Sequence, residues 1–298
     1  MIYIPILGAL LEATGMILEK KLMKKKNLNY KNYTVYGFFA IVVAMIPFLF
    51  FFWRVSPEAL QLKNLLVMTG VVLSAFFANL FIFYSLKRES LCELEPIRLM
   101  QPLFTILFAF ILSFFFTVYS DEKNTSILIL ALIASITLIA THFKKDHLNF
   151  DKYIIAPLAG SILFAVELVL SKIILPYYSS WSFYFLRCLI IFIVAAVVFR
   201  PSFKKVDKQT HYFTWVIAFI WIFYRIILYW GYESFGIIFT TILLILTPVF
   251  IFLFARIFLK EKINFKQIVS AIIILLCVAT AVLLKNYEVI LNFFLSLF

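Results

Sequence analysis

Apolar runs of about bilayer width recur along the whole chain, separated by short clusters of charged or turn-forming residues. A helix that crosses a membrane needs about 17–25 predominantly apolar residues. Runs of that kind fall at Ile2–Leu18, Tyr33–Trp53, Leu65–Leu86, Leu91–Phe114, Ser126–Phe143, Tyr153–Leu175, Ser182–Phe199, Phe213–Tyr232, Gly236–Leu259 and Gln267–Leu284. The pattern predicts an all-α, polytopic membrane protein of about ten transmembrane helices. The connections are mostly short, so consecutive helices pack as antiparallel neighbours, with no extramembrane domain between them. A short apolar tail, residues 286–298, is expected at the membrane interface.

Composition supports this reading. Of 298 residues, 64% are apolar and 14% charged, and the mean hydropathy is +1.04. Soluble domains run at about 45–50% apolar and about 25% charged. A soluble helical domain would also need amphipathic helices with polar faces, and those faces are missing. The net charge of +12 sits in short Lys/Arg runs between apolar segments. It reads as loop charge at a membrane rather than as a nucleic-acid surface. Cys92, Cys188 and Cys277 lie in or beside apolar segments, far apart, and read as packing residues. No disulfide framework, metal site or cofactor is expected. The N-terminus lacks the charged start and cleavage site of a signal peptide and reads as a retained first span.

Two halves of the chain resemble one another. The stretch from Leu11 matches the spacing of that from Leu163, and the stretch from Phe83 aligns with that from Tyr229. The second alignment places Pro102 on Pro248, Gln101 on Thr247, Asn79 on Arg225 and Tyr84 on Trp230. The expected units are residues 1–145 and 150–285, five spans each. An odd number of spans per unit sets the copies in opposite orientations. That is the inverted-repeat plan of secondary transporters, with the substrate near midplane between the halves.

The stretch Thr240–Leu284, with a proline early in its span, Glu261 at the span end and a short basic link to the last helix, resembles the closing helices of an EamA-type repeat. Pro102 and the Ser90–Pro96 segment before it resemble the same element in the first half. There Phe115 and Phe116 stand opposite Glu261, and Asp121 and Glu122 come later. The resemblance covers nearly the whole chain. It implies the drug/metabolite transporter superfamily, two five-helix repeats, and transport of small metabolites such as amino acids.

Ionisable groups inside apolar spans carry the functional information, because each costs about 2.5–3.5 kcal/mol near a bilayer centre. Glu95, Arg98 and Gln101 share one helix face, bracketed by Pro96 and Pro102. They are candidate substrate-binding residues on a cavity wall; the alternative is a local Glu95–Arg98 ion pair. Arg225, set among Trp221, Tyr224, Tyr229 and Trp230, is a candidate carboxylate ligand or a structural cation–π contact. Asn79, Tyr84 and Trp230 are candidates beside the cavity through the repeat alignment. Glu12 and Glu167 lie in equivalent helices and are candidate proton-coupling groups; the alternative is structural pairing, with Arg187 and Arg225 as partners. Arg187, Lys172 and Arg256 read as side chains reaching toward headgroups.

Lys and Arg concentrate in the connections after odd-numbered spans. The positive-inside rule then places both termini outside the cytoplasm, whereas the family resemblance implies the reverse; orientation stays open. The leading functional expectation is a secondary transporter in the cell membrane, moving a small-molecule substrate by alternating access, as a monomer or homodimer among membrane lipid. No phosphate-binding loop motif is present. A lipid or glycolipid flippase of the same architecture is the alternative. An intramembrane enzyme is the remote one: the Glu93–Arg98 segment with His142 and His147 lacks adjacent glutamates or an HExxH pattern. The chain is not expected to be an enzyme.

Overall fold

The structure is a computed structural model that describes residues 3–23, 28–88, 97–98, 100–142, 152–201, 207–258 and 265–295. Its helices are α1 (Tyr3–Met23), α2 (Tyr30–Phe52), α3 (Leu62–Arg88), α4 (Met100–Ser113), α5 (Thr125–His142), α6 (Lys152–Ile174), α7 (Ser180–Phe199), α8 (Lys208–Phe235), α9 (Ile237–Leu244), α10 (Thr247–Phe258) and α11 (Phe265–Leu295). Short 3-10 turns sit at Pro57–Leu60, Thr117–Lys123 and Leu175–Tyr177. The protein is all-α. The β-pairing among the described residues is one isolated antiparallel bridge, Val55 with Tyr178.

Among the described residues, seven helical segments are long and apolar enough to cross a membrane, and an eighth qualifies if Met100–Ser113 is joined to Thr117–Lys123 across a 116° bend. α1 falls short of that standard because Glu12, Glu19, Lys20 and Lys21 interrupt it. With α9 and α10 taken as one broken span, the helices are compatible with ten crossings. The expected unbroken span at Gly236–Leu259 is interrupted at Ile245 and Leu246. The cause is Pro248, which has no N–H to offer the carbonyl of Leu244 one turn back. At the C-terminus the last helix continues to Leu295, so most of the expected tail prolongs it.

The closest helix pairings are α3 with α6, α1 with α8, α2 with α7 and α5 with α11. Exchanging the first five spans for the last five turns the α3–α6 pair into the α8–α1 pair and leaves the other two unchanged. Glycines show the same correspondence. A Cβ on Gly160 would come within 3.0 Å of Ile82 and 3.2 Å of the Ala78 carbonyl, so α6 approaches the α3 backbone closely. Gly8 holds that place in α1, where a Cβ would lie 3.0 Å from Ile227 of α8. The register that sets Leu11 on Leu163 carries Gly8 onto Gly160. These pairings are compatible with an inverted repeat.

The connections alternate between two faces of the bundle. The ends of α1, α3 and α7 and the starts of α2 and α8 meet on one face, the basic face. There Lys20 donates to the Leu86 carbonyl, Lys87 donates to that of Met23, and Lys21 and Lys31 lie over Phe213 and Phe199. The opposite face carries the α2–α3 and α6–α7 connections, the turn Thr117–Lys123 and the α8–α9 junction. It is closed by contacts between the halves. Ser179 N–H and Ser182 Oγ donate to the Arg54 carbonyl, and Ser56 N–H donates to that of Tyr177. Arg54 Nη2 donates to the Tyr178 carbonyl at 3.0 Å.

Candidate functional site

Between the halves lies a cavity of about 770 Å³ counting its open mouth. α1 contributes Glu12 and Glu19, seven residues apart and so on one helix face. α2 contributes Tyr33 and Thr34, α7 contributes Tyr184 and Arg187, and α8 contributes Trp221, Tyr224 and Arg225. Arg98 and Gln101 form the wall at the start of α4, and Asn79 of α3 and Phe164 of α6 complete it. Tyr33, Thr34, Glu19 and Thr214 lie toward the basic ends of their helices, so the cavity reaches toward the basic face.

The deep end is built on Glu167, which is fully buried. Its Oε1 accepts from the Tyr229 hydroxyl at 3.0 Å and lies 3.0 Å from Arg187 Nε, whose N–H is not aligned for a hydrogen bond. Its Oε2 accepts from Arg225 Nη1 at 3.2 Å. One carboxylate therefore serves two guanidinium groups. Aromatic faces shelter the remaining charge: Arg225 lies over Phe164 at 5.5 Å and Tyr224 at 5.8 Å, and Arg187 over Tyr184 at 5.7 Å. A buried ion without such partners would not be tolerated in hydrocarbon.

Nearer the mouth the carboxylates have lighter partners. Glu12 Oε2 accepts from Thr247 Oγ1 at 2.8 Å, and Glu19 Oε1 accepts from the Tyr33 hydroxyl at 2.8 Å. The Nη1 of Arg98 is buried, with no hydrogen-bond partner among the described residues. A second cavity, of about 430 Å³, shares Glu12, Arg98 and Gln101 with the first and reaches Pro102, Thr247 and Pro248 at the α9–α10 break. The aligned pairs Pro102/Pro248 and Gln101/Thr247 thus border one hollow.

Of the residues singled out from sequence, Arg98, Gln101, Arg225, Asn79 and Glu12 line the main cavity. Glu167 sits behind its wall, tied to both arginines expected as partners. Tyr84 packs edge-on against Tyr30 and Trp230 against Phe235, and neither borders the cavity. Glu95 lies outside the described residues, as do Cys92, Glu93, His147 and Glu261. Two side chains expected to reach for headgroups point inward instead. Arg187 is 2% exposed and held by Glu167, and Lys172 is bound to Glu122 at 2.5 Å; a buried carboxylate outweighs the pull of water in both. Sequence reasoning also missed Glu19, placed just past the first span. Its seven-residue spacing from Glu12 was the available signal.

Residues 151–283 match the EamA-like transporter family. That stretch, most of the second half of the chain, resembles EamA-like transporters. A solved structure, titled only as a crystal structure of a protein, covers 95% of this chain and 97% of its own at TM-score 0.72 and 15% identity. At that identity the likeness speaks for the fold, and it extends the fold over both halves. No curated protein matches the chain by sequence. With the family match and this many apolar helices, the chain is a multi-pass integral membrane protein.

Proposed function

We propose that this protein is an EamA-type secondary transporter of the cell membrane that carries a small zwitterionic metabolite of the amino-acid kind by alternating access. The observation that carries the reading is a single hollow between the halves with both signs of charge on its wall. Arg98 offers a buried donor with no partner among the described residues. Glu12 and Glu19 offer carboxylates held by uncharged groups, Thr247 and Tyr224 for the first and Tyr33 and Trp221 for the second. A guanidinium suits a substrate carboxylate, a carboxylate suits an ammonium group, and the surrounding rings suit an apolar body. A lipid-moving protein would be favoured instead by a roomy cavity opening sideways to lipid.

Glu12 is the better placed of the two candidate proton carriers. It faces both cavities, whereas each oxygen of Glu167 is already committed to an arginine or tyrosine.

Uptake into proteoliposomes, screened over amino acids and small organic anions with and without a pH gradient, tests this reading. Arg98→Ala is expected to lose at least about tenfold in uptake, the worth of one charge-assisted hydrogen bond of about 1.5–3 kcal/mol, while keeping its melting temperature. Glu12→Gln is expected to lose any dependence on the pH gradient. Unchanged uptake in Arg98→Ala would remove the arginine from the site.

A further inference from the structure

We propose that Glu122 is a latch holding the transport cavity shut on the face opposite the basic connections, with Lys172 and the first turn of α9 as its catch. The inference rests on the transporter reading for the meaning of opening, but its geometry stands alone. Glu122 belongs to the turn Thr117–Lys123 in the first half of the chain and is 2% exposed. Among the described residues, the ion pair and the hydrogen bonds of its carboxylate are all with the second half. Its Oε1 lies 2.5 Å from Lys172 Nζ in the last turn of α6. The N–H groups of Ile237 and Ile238 donate to Oε1 at 2.6 Å and to Oε2 at 2.9 Å.

The catch is shaped for this carboxylate. The first N–H groups of a helix have no partner within the helix, and they prefer an anion. Gly236, at φ +90°, turns the chain so that these groups point at Glu122. A Cβ on Gly236 would meet the Glu122 oxygens at 3.0 and 3.3 Å, so glycine serves both the backbone and the close approach. Nearby, the Tyr119 hydroxyl donates to the Val169 carbonyl at 2.8 Å and ties the same turn to α6.

A buried ion pair is a weak source of stability, because removing two charges from water offsets most of their attraction. Its value lies in being specific and breakable. Glu122 is on a connection and Lys172 is at a helix end, so both regain water when the face parts. An apolar contact in that place would lose its whole burial on opening. Glu122 therefore closes the face firmly while leaving the open state accessible.

The test places a single cysteine on the cavity wall at Ala218, in a chain with Cys92, Cys188 and Cys277 replaced by alanine. A membrane-impermeant maleimide is applied from either face of oriented vesicles. With the latch intact, labelling is expected from the basic face. Glu122→Gln is expected to raise labelling from the opposite face several-fold and to lower it from the basic face. Lys172→Met is expected to shift labelling the same way but less, since the α9 contacts remain. The exchange Glu122→Lys with Lys172→Glu restores the ion pair without an acceptor for α9 and is expected to stay open. Unchanged labelling from the opposite face in folded Glu122→Gln and Lys172→Met would overturn the latch. So would loss of fold in all of these variants, which would make Glu122 a structural anchor. A rise at one face without a fall at the other would keep the latch but count against alternating access, so the two readings fail separately.

Discussion

At the scale of single residues, the site is a division of labour among carboxylates. Glu167 anchors, because it holds Arg187 and Arg225 in place at the deep end. Removing it would leave two guanidinium groups buried with no counter-ion. Glu167→Ala is therefore expected to cost about 3–5 kcal/mol, the usual toll for breaking a buried pair from one side. Arg225→Met should cost less, since Glu167 keeps Arg187 and Tyr229. Thermal unfolding in detergent would rank the two, and a smaller drop for Glu167→Ala would contradict the anchoring role. The arginines were visible in sequence because a charge inside an apolar run is conspicuous. Which carboxylate each would meet was not, because pairing across α6, α7 and α8 depends on helix rotation, which hydropathy does not encode. Glu19 escaped notice, and Glu122 was noted only as a displaced acidic residue of the first repeat, for the complementary reason: charges at span ends look like solvated loop charges.

At the scale of elements, close helix approach depends on absent side chains. Without a hydrophobic driving force between helices in lipid, small residues that let backbones meet supply much of the packing. Gly8 and Gly160 do this at corresponding places, against α8 and α3, yet their neighbours differ. Beside Gly8 the nearest atoms are side-chain methyls of Ile227 and Leu244, which need give way by only a few tenths of an ångström. Beside Gly160 the Ala78 carbonyl is backbone and cannot. Gly8→Ala should be nearly neutral, because the helix gains about 0.5–1 kcal/mol from losing glycine's freedom. Gly160→Ala should lose about 1–3 kcal/mol net through overpacking. Melting temperatures in one detergent would check the contrast, and equal effects would count against it. Helix positions were largely legible from apolar run length. The break at Ile245 and Leu246 was half-legible: Pro248 was noted as a repeat marker, but an apolar run gives no sign that the helix will part there.

At the scale of the whole molecule, helix pairings compatible with an inverted repeat bear directly on the one-sided cavity. If two related halves enclose the site, a hollow reaching toward the basic face has a counterpart reaching toward the other, and transport requires passage between them. The seam that must part joins residues 52–56 to residues 175–182, where Val55 and Tyr178 form the antiparallel bridge. The flanking hydrogen bonds, Ser56 N–H to the Tyr177 carbonyl and Ser179 N–H to that of Arg54, make these two a non-hydrogen-bonded pair. In such pairs the Cα atoms stand about 4.5 Å apart, within the range of about 4.4–6.8 Å that a disulfide spans. Val55→Cys with Tyr178→Cys, in the chain without native cysteines, should therefore close under oxidation without moving the backbone. Oxidised protein is expected to retain access from the basic face and to lose transport, and reduction is expected to restore it. Full transport by the cross-linked form would mean that this seam need not part for the substrate to cross, and that the path to the second face runs elsewhere between the helices.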